Sequence, residues 1–262
     1  MTGSLSFDRA AEYYDATRVT DPDTLDAIIG LLGDRVAGDG GDGDGDVLEI
    51  GVGTGQLALP LSARGVHVTG LDLSPAMMAK LVEKAGGTSP VHLVQGDATC
   101  MPFADAVFRG AYARWVLHLI PAWEQVLAEL DRVVSADGPI AIEPGGESGV
   151  FRDVFLRFHE VLGDVALPLG LHPVRRDEQL DSGMAAIGWK LDHVQELAYV
   201  ARSTLAAFFD GIPERKFSWT WNIPEEALTA ATAEVRSWAS ERHDLDAPQP
   251  DVPTRWRVYH RR

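Results

Sequence analysis

Cysteine is almost missing from this chain, since Cys100 is the only one among 262 residues. One cysteine cannot form an internal disulfide, which is typical of proteins in the reducing cytosol. The first ten residues, MTGSLSFDRA, contain no basic segment followed by an apolar one, so no secretory signal is expected. No apolar run reaches the ~20 residues that a membrane helix needs. These absences predict a cytoplasmic protein without a membrane span.

Positive charge is also scarce, because the sequence has 23 Lys and Arg residues but 39 Asp and Glu residues. The formal net charge at pH 7 is −16. Such an acidic surface repels a phosphate backbone, so neither nucleic acid nor an anionic membrane is expected as a partner. The sequence leaves open whether the protein is a monomer or a homodimer.

Several catalytic motifs are missing as well. The sequence has no C-x-x-C, no H-E-x-x-H and no clustered His–carboxylate spacing, so we expect no metal site. It also has no G-x-S-x-G, which argues against a hydrolase. Residues 38–46 repeat Gly and Asp like a calcium loop, but Val47 and Gly53 stand where an EF-hand requires Gly and Glu. This stretch is therefore interpreted as a flexible, solvated connector.

Short apolar strands alternate with helices from Val47 to Glu143, a pattern typical of a parallel, doubly wound sheet. The predicted strands are 47–50, 66–72, 91–95, 106–113 and 140–143, and the predicted helices are 4–18, 22–36, 55–64, 75–85 and 122–134. The predicted elements after Glu143 are interrupted helices over 147–186, a strand over 189–202, a helix over 224–242 and an edge strand over 254–261. We expect an α/β fold: a doubly wound, Rossmann-like sheet of seven strands, mostly parallel, with an antiparallel strand near the C-terminus and a helical cap.

The stretch 47–56, VLEIGVGTGQ, places three glycines at alternate positions directly after a predicted strand. Glycine permits a positive φ and a close approach of another molecule to the backbone. A dinucleotide-binding G-x-G-x-x-G motif would need its last glycine where Gln56 stands. Glu49, two residues before the first glycine, would repel a pyrophosphate and attract an amine. These two residues argue against a nicotinamide-dependent oxidoreductase, which remains the less favoured alternative.

The combination E-x-G-x-G-x-G resembles the first motif of class I S-adenosylmethionine-dependent methyltransferases. Asp72 at the end of the second strand and Asp97 after the third stand where that family has acids. Residues 6–18, 217–224 and 245–248 resemble the ends of the small-molecule branch related to quinone-biosynthesis methyltransferases. The resemblance covers nearly the whole chain and implies one methyltransferase domain over 1–262. Its expected parts are an N-terminal helical cap (1–37), a cofactor-binding core (47–145), a cap insertion (147–186) and C-terminal strands and helix (187–262).

The resemblance implies S-adenosylmethionine as the cofactor. The residues expected to bind it are Tyr14, Arg18, Glu49, Gly51, Val52, Gly53, Gly55, Asp72, Leu73, Met77, Asp97, Ala98 and Arg114. The glycines suit the amino acid end of the cofactor, with Glu49 beside its ammonium. Asp72 suits the ribose diol, and Asp97 suits the adenine amine. In that branch a Tyr and an Arg cover the cofactor, which points to Tyr14 and Arg18.

The acceptor is expected to be a small, hydrophobic or aromatic metabolite that is methylated on O, N or C. His118 is the candidate acid–base residue, needed only if the acceptor must lose a proton. The candidate acceptor-binding residues are Trp115, His172, Trp219 and Trp221. Arg175 and Arg176 are either ligands of an acidic group on the acceptor or surface charges. A non-catalytic protein that binds S-adenosylmethionine is the other alternative that the sequence leaves open.

Overall fold

One sheet of seven strands organises the described part of the chain. The computed structural model describes residues 3–18, 20–38, 46–146, 149–163, 170–172, 175–197, 204–248 and 253–261. The strands are β1 (Asp46–Ile50), β2 (Val68–Asp72), β3 (His92–Gln95), β4 (Phe108–Arg114), β5 (Ile140–Glu143), β6 (Trp189–Leu197) and β7 (Thr254–Arg261). Their order is β3-β2-β1-β4-β5-β7-β6. Strands β1 to β5 pair in parallel, and β7 runs antiparallel to β5 and β6, which confirms the predicted fold class.

The central strands are buried because their sequences are nearly continuous apolar runs. Val47, Leu48 and Ile50 of β1 are at most 1% exposed, and all four residues of β5 are buried. Unbroken apolar runs are typical of parallel strands that are covered on both faces.

The parallel register aligns the carboxyl ends of four neighbouring strands at one edge of the sheet. Ile50 pairs with Leu71 of β2 and with Ala113 of β4, and Arg114 pairs with Glu143 of β5. Ligands of open α/β sheets bind at this edge. The fold therefore places Glu49, near the end of β1, and Asp72, at the end of β2, at this edge of the sheet.

The prediction that residues 254–261 form an edge strand is wrong. Strand β7 lies between β5 and β6, and β6 is at the edge. Trp256, Val258 and Tyr259 of β7 are at most 1% exposed, as expected for an inner strand. Strand β6 instead alternates exposed and partly buried residues after Trp189, which suits an edge position.

Nine α-helices lie within the described ranges. They are α1 (Tyr14–Thr17), α2 (Pro22–Leu32), α3 (Ala58–Ala63), α4 (Pro75–Lys84), α5 (Trp123–Val133), α6 (Gly149–Leu162), α7 (Arg176–Ala186), α8 (Leu205–Gly211) and α9 (Glu225–Ser240). The start of α2 is capped by Asp21, whose Oδ1 accepts a hydrogen bond from Thr24 N at 2.9 Å. The start of α4 is capped by Ser74, whose Oγ accepts from Met77 N at 3.1 Å. An Asp or Ser directly before a Pro is a typical start of a helix.

Two predicted helices are shorter in the structure. The predicted helix over 4–18 is reduced to a 3-10 turn at Asp8–Ala10 and the single turn α1. No side chain caps either turn, and Asp8 instead accepts hydrogen bonds from the start of α4. The predicted helix over 55–64 begins only at Ala58. Gly55 has a φ of +78°, which no α-helical residue can adopt.

The described residues form two compact units. The first lies within Met1–Gly145, Leu169–Leu197 and Thr254–Arg262 and contains the whole sheet. Helix α7 belongs to it, with Leu180 and Met184 buried in the core. The predicted cap over 147–186 is therefore divided, because α6 belongs to the other unit.

The second unit lies within Gly146–Pro168 and Ala198–Pro253. Helices α6, α8 and α9 contribute its core, in which Phe158, Phe209 and Val235 are at most 1% exposed. The sequence pattern did not predict α8, which has only seven residues. The organisation of 1–262 as one methyltransferase domain stays a prediction.

Two further expectations concern the acidic connector and membrane-spanning helices. Residues 39–45, most of the acidic connector, lie outside the described residues. Among the helices in the described ranges, none combines the length and the apolar character that crossing a bilayer requires.

Replacing the N-cap of α2 tests the capping interpretation. Asp21→Ala should destabilise the protein by about 1 kcal/mol, because the Thr24 amide loses its acceptor at a helix end. The thermal midpoint should fall by roughly 2–4 °C. Asp23→Ala removes the same charge from the same turn without removing a cap and serves as the control. Equal shifts for the two variants would show that charge, not capping, is responsible.

Candidate active site

A cleft opens at the carboxyl edge of the sheet, where β1 and β4 end. Its empty volume is about 340 Å³, including space that is open to solvent. It is lined by Tyr14, Glu49, Gly51, Val52, Gly53, Thr54, Gln56, Leu57, Arg114 and Trp115. Seven of these ten residues were predicted; Thr54, Gln56 and Leu57 were not.

The three glycines of the loop after β1 all have positive φ, at +71° for Gly51, +52° for Gly53 and +78° for Gly55. They differ in what a side chain would meet. A Cβ on Gly51 would overlap Val116, and a Cβ on Gly55 would lie 2.7 Å from Leu81 Cγ. A Cβ on Gly53 would have Met77 Cε at 3.4 Å as its nearest neighbour. Gly51 and Gly55 therefore allow close packing, whereas Gly53 lines the cleft and has room beside its Cα for an ordinary van der Waals contact.

Asp72, at the end of β2, ties the glycine loop to helix α4. Its Oδ2 accepts a hydrogen bond from Gly53 N, and its Oδ1 accepts one from Ser74 N, both at 2.8 Å. Burial raises the pKa of the Asp72 carboxyl, although the backbone N–H groups of Ser74 and Gly53 oppose this shift. The carboxylate therefore fixes the shape of the glycine loop, although Asp72 is not among the residues that line the cleft.

The residues predicted for the adenine region lie after β2 and β3. Met77 is buried beside Gly53, and Leu73 is half-buried. Asp97 Oδ1 accepts hydrogen bonds from Thr99 N at 2.9 Å and from Thr99 Oγ1 at 2.8 Å. Ala98 is buried next to it. None of these four predicted residues is among those that line the cleft.

Glu49 is buried at the floor of the cleft. The Tyr112 hydroxyl donates a hydrogen bond to its Oε2 at 3.0 Å. Burial raises the pKa of the Glu49 carboxyl to about 8, and the hydrogen bond from Tyr112 and the charge of Arg114 only partly offset this rise. The carboxyl is therefore mostly protonated at neutral pH when no cation lies beside it.

A second buried acid, Glu143, stands at the end of β5. Its Oε2 lies 3.8 Å from Arg114 Nε, and both side chains are 6% exposed. Burial raises the pKa of Glu143 to about 7, against the lowering effect of Arg114 and of the Gly145 amide. No role was predicted for Glu143 from the sequence. The signal was nevertheless present, since Glu143 is an acid at the end of an apolar strand, like Asp72.

Trp115 carries backbone strain at the cleft. Its φ is +58°, which is rare for a bulky residue, and such a conformation costs roughly 1–3 kcal/mol. Its amide donates to the Glu143 carbonyl at 3.0 Å, which helps to hold this conformation. The Arg114 guanidinium lies over its ring, 4.0 Å from the centroid.

Two acids of the N-terminal segment hold this segment against the rim of the cleft. Asp8 Oδ1 accepts from Ser74 Oγ at 2.6 Å. Asp15 accepts from Thr54 Oγ1 at 2.6 Å and pairs with Lys84 Nζ at 2.5 Å. Neither Asp8 nor Asp15 was predicted as a site residue, because both acids stand in what read as an amphipathic helix.

Tyr14 and Arg18 lie on the segment that these two acids hold. Tyr14 lines the cleft and packs edge-on against Phe7 with centroids 5.9 Å apart. The Arg18 carbonyl accepts a hydrogen bond from Gln56 Nε2 at 3.1 Å. Both predicted covering residues are thus adjacent to the glycine loop.

His118, the candidate acid–base residue, follows Trp115 in a 3-10 turn at Leu117–Leu119. Its ring is half-buried, and its Nδ1 is inaccessible and has no hydrogen-bond partner among the described residues. Burial lowers the pKa of His118 well below its usual range, and the charges of Arg176 and Arg18 lower it further. The imidazole is therefore neutral at physiological pH.

The three remaining acceptor candidates lie on other segments. His172 is half-buried in the first unit. In the second unit, Trp219 packs against Phe155 and Phe158 with centroids 5.3 and 5.1 Å apart. Trp221 Nε1 donates to the Arg215 carbonyl at 2.8 Å. The acceptor roles of all three stay predictions. Within the described ranges, no group of three or more His, Cys, Asp or Glu side chains is arranged to hold a metal ion.

Comparisons with known proteins identify the family. A family model described as a methyltransferase domain matches residues 48–142. A demethylmenaquinone methyltransferase of Thermus thermophilus is 30% identical over 163 residues, which cover 55% of this chain and 74% of that protein. A phosphatidylethanolamine N-methyltransferase of Cereibacter sphaeroides is 37% identical over 125 residues, covering 45% of this chain and 61% of that protein.

The match to the phosphatidylethanolamine N-methyltransferase thus spans less than two thirds of that protein's length. Among solved structures, the 4+2 cyclase SpnF has the same fold, with a TM-score of 0.59, 18% identity and coverage of 97% of this chain and 94% of that one. The chain belongs to the class I S-adenosylmethionine-dependent methyltransferases, with quinone-biosynthesis methyltransferases among its relatives.

Proposed function

We propose that this protein transfers the methyl group of S-adenosylmethionine to an O, N or C atom of a small molecule. The observation that carries the proposal is the loop after β1, where Gly53 lines the cleft together with Glu49 and donates its N–H to Asp72. The names of the two relatives, which refer to demethylmenaquinone and phosphatidylethanolamine, support a small-molecule acceptor.

The amino acid end of the cofactor would lie along Gly51, Val52, Gly53 and Gly55, with its ammonium beside Glu49. Burial makes an unpaired Glu49 carboxylate costly, and a cation next to it would remove that cost. The charge of the ligand and the electrostatics of the site are therefore complementary.

The nucleoside would lie along the ends of β2 and β3. Each oxygen of Asp72 already accepts one backbone hydrogen bond, but a carboxylate oxygen can accept two. Both oxygens can therefore also accept from the ribose hydroxyls. Leu73 and Met77 would contact the purine, while Asp97 Oδ2 and the Ala98 amide would bind its edge. Hydrogen bonds from Thr99 fix Asp97 through its other oxygen.

Methyl transfer is an in-line displacement, to which alignment of the two reactants contributes ~7–11 kcal/mol. Tyr14, Arg18 and Arg114 would cover the cofactor and exclude water. Neutral His118 could accept a proton from an acceptor that must lose one. The acceptor would lie on the side of Trp115, and the roles of His172, Trp219 and Trp221 toward it are part of the same proposal.

The cellular context is part of the proposal too. We place the protein in the cytoplasm, and its net charge of −16 supports an acceptor other than nucleic acid.

Ligand-dependent unfolding tests the function directly. S-adenosylmethionine and S-adenosylhomocysteine at ~100 times their dissociation constants should each stabilise the protein by about 2.7 kcal/mol, and NAD should not. Methyl transfer is then measured with labelled cofactor and a panel of small hydrophobic acceptors. A shift with NAD alone would contradict the proposal. Cofactor binding without transfer to any acceptor would favour the non-catalytic alternative.

The position of Gly53 in the lining of the cleft predicts a variant that folds but binds the cofactor poorly. In Gly53→Ala the new Cβ lies in the cleft, so affinity for S-adenosylhomocysteine in calorimetry should fall about tenfold or more. Gly65→Ala is the control, because Gly65 also has a positive φ, +86°, with nothing within 4 Å of its Cβ position. Both variants should lose roughly 1–2 kcal/mol of stability from the backbone conformation. Equal losses of affinity in Gly53→Ala and Gly65→Ala would contradict the role proposed for Gly53.

The raised pKa of Glu49 predicts proton release on cofactor binding. Glu49 has a pKa of about 8, and an adjacent ammonium would lower it. Calorimetry near pH 7 in buffers of different ionisation enthalpy should therefore show a released proton, and affinity should rise with pH up to about 8. Glu49→Gln should lose both effects. The cofactor's own ammonium contributes equally to the proton release of the wild type and of Glu49→Gln. Identical proton release by the two proteins would therefore exclude Glu49 as the source of the proton.

A further inference from the structure

A buried tyrosine stands beside Glu49 in the sheet. Strands β1 and β4 pair in parallel with Glu49 opposite Tyr112, and the Tyr112 hydroxyl donates a hydrogen bond to Glu49 Oε2 at 3.0 Å. Tyr112 is 1% exposed and Glu49 is 4% exposed. Water therefore has little access to this hydrogen bond and does not compete for either partner.

The other strands offer no second polar side chain in the same row of the sheet. Gly70 of β2 pairs with Glu49 on its other side, and Ala141 of β5 pairs with Tyr112. A Cβ on Gly70 would lie 2.6 Å from Val52 Cγ2, so a valine side chain occupies the space there. Of these neighbours in the row, only Tyr112 has a side chain that can donate a hydrogen bond to the buried carboxyl.

The two side chains differ in their access to the cleft. Glu49 is among the residues that line it, whereas Tyr112 is not. Tyr112 instead belongs to the apolar core that includes Ile28 and Val36. A ligand in the cleft can therefore touch Glu49, while Tyr112 acts on that ligand through the carboxyl and not by contact.

The hydroxyl of Tyr112 also affects the protonation of Glu49. Burial raises the pKa of Glu49 to about 8; the hydrogen bond from Tyr112 lowers it, the charge of Asp72 raises it, and Arg114 and the Ala58 amide lower it. Burial and the adjacent Glu49 raise the pKa of Tyr112 itself well above its usual range. Tyr112 therefore keeps its proton and remains a donor over the pH range in which Glu49 titrates.

We propose that Tyr112 is a positioning residue for the cofactor: its hydroxyl holds the Glu49 carboxylate in place for the ammonium of S-adenosylmethionine and thereby sets the pH range in which the cofactor binds. The inference rests on the proposed function and adds a pH control to the same site. When the ammonium arrives, a protonated Glu49 carboxyl releases its proton to the solvent, and the O–H bond of Tyr112 stays intact. Without this donor the buried carboxylate would be less stable, so a larger share of Glu49 would stay protonated at neutral pH.

The test measures the affinity for S-adenosylhomocysteine by calorimetry at several pH values between about 6 and 9. Tyr112→Phe removes the hydroxyl and keeps the ring, so affinity at pH 7 should fall about tenfold, as expected for one lost hydrogen bond to a charged group. The loss should shrink severalfold toward pH 9, because Glu49 then ionises in both proteins. The ratio of the two affinities cancels the ionisation of the ligand's own ammonium. No loss, or the same loss at every pH, overturns the proposal.

Tyr259→Phe is the matched control. Tyr259 is also buried on a strand, and its hydroxyl donates to a carboxylate oxygen, Asp181 Oδ1, at 2.7 Å. Neither Tyr259 nor Asp181 lines the cleft. This variant loses a comparable hydrogen bond, so its affinity should match that of the wild type at every pH. The same pH-dependent loss in Tyr259→Phe and Tyr112→Phe would assign the effect to a general loss of stability and overturn the role of Tyr112.

A second measurement needs no cofactor. The Glu49 carboxyl is titrated by NMR on protein with isotope-labelled glutamate, and its signal is assigned by comparison with Glu49→Gln. Tyr112→Phe should raise the pKa of Glu49, and an ortho-fluorinated tyrosine in place of Tyr112, a stronger donor, should lower it. The fluorinated protein keeps the hydroxyl and covers the case in which Tyr112→Phe does not fold.

The two measurements separate the inference from the proposed function. A Glu49 titration that is the same in the wild type and in the Tyr112 variants overturns the role of Tyr112. Failure of the wild type to bind S-adenosylhomocysteine at any pH, with the titration shifted as expected, would instead contradict the proposed function and leave the coupling of Tyr112 to Glu49 in place.

Discussion

The hydrogen bonds of Asp72 are the contacts on which the candidate site depends. One carboxylate joins the backbone of Gly53, after β1, to the backbone of Ser74, at the start of α4. Two neighbouring strand ends are thereby fixed to each other at the edge where ligands bind. The same carboxylate is proposed to receive the ribose, so loop geometry and ligand recognition rely on one side chain. A change at Asp72 therefore affects both the loop geometry and the recognition of the ligand, so a loss of binding in an Asp72 variant can arise from either.

Burial of carboxyl groups is the second constraint on the site. Glu49 and Glu143 lie at the ends of central strands that are covered on both faces, so water cannot stabilise their charged forms. Their pKa values rise to about 8 and about 7, which leaves the protein poised to respond to a cation or to a change of pH. Arg114 lies near both acids and couples them to Trp115. The electrostatics of the cleft thus follow from the topology of the sheet.

Much of the first unit could be predicted because its signals are local. Stretches of four to eight mostly apolar residues indicated β1 to β5, and a small polar residue before a proline is typical of a helix start, as at α2 and α4. The same signals failed for residues 4–18. There the aromatic and charged residues have helical spacing, but Asp8 and Asp15 form their bonds with α4 and the glycine loop instead. A helical pattern cannot reveal such a competing partner.

The sequence by itself determined the order of strands and helices, the glycine loop and the acids at the ends of β1 and β2. These features depend on periodicity and turn chemistry within a few residues. Only the tertiary structure decided that β7 lies inside the sheet, that Glu143 is buried next to Arg114, and that the Tyr112 hydroxyl meets Glu49. Each of these contacts joins segments far apart in the chain. Their formation depends on how whole elements pack, and no short stretch of sequence contains that information.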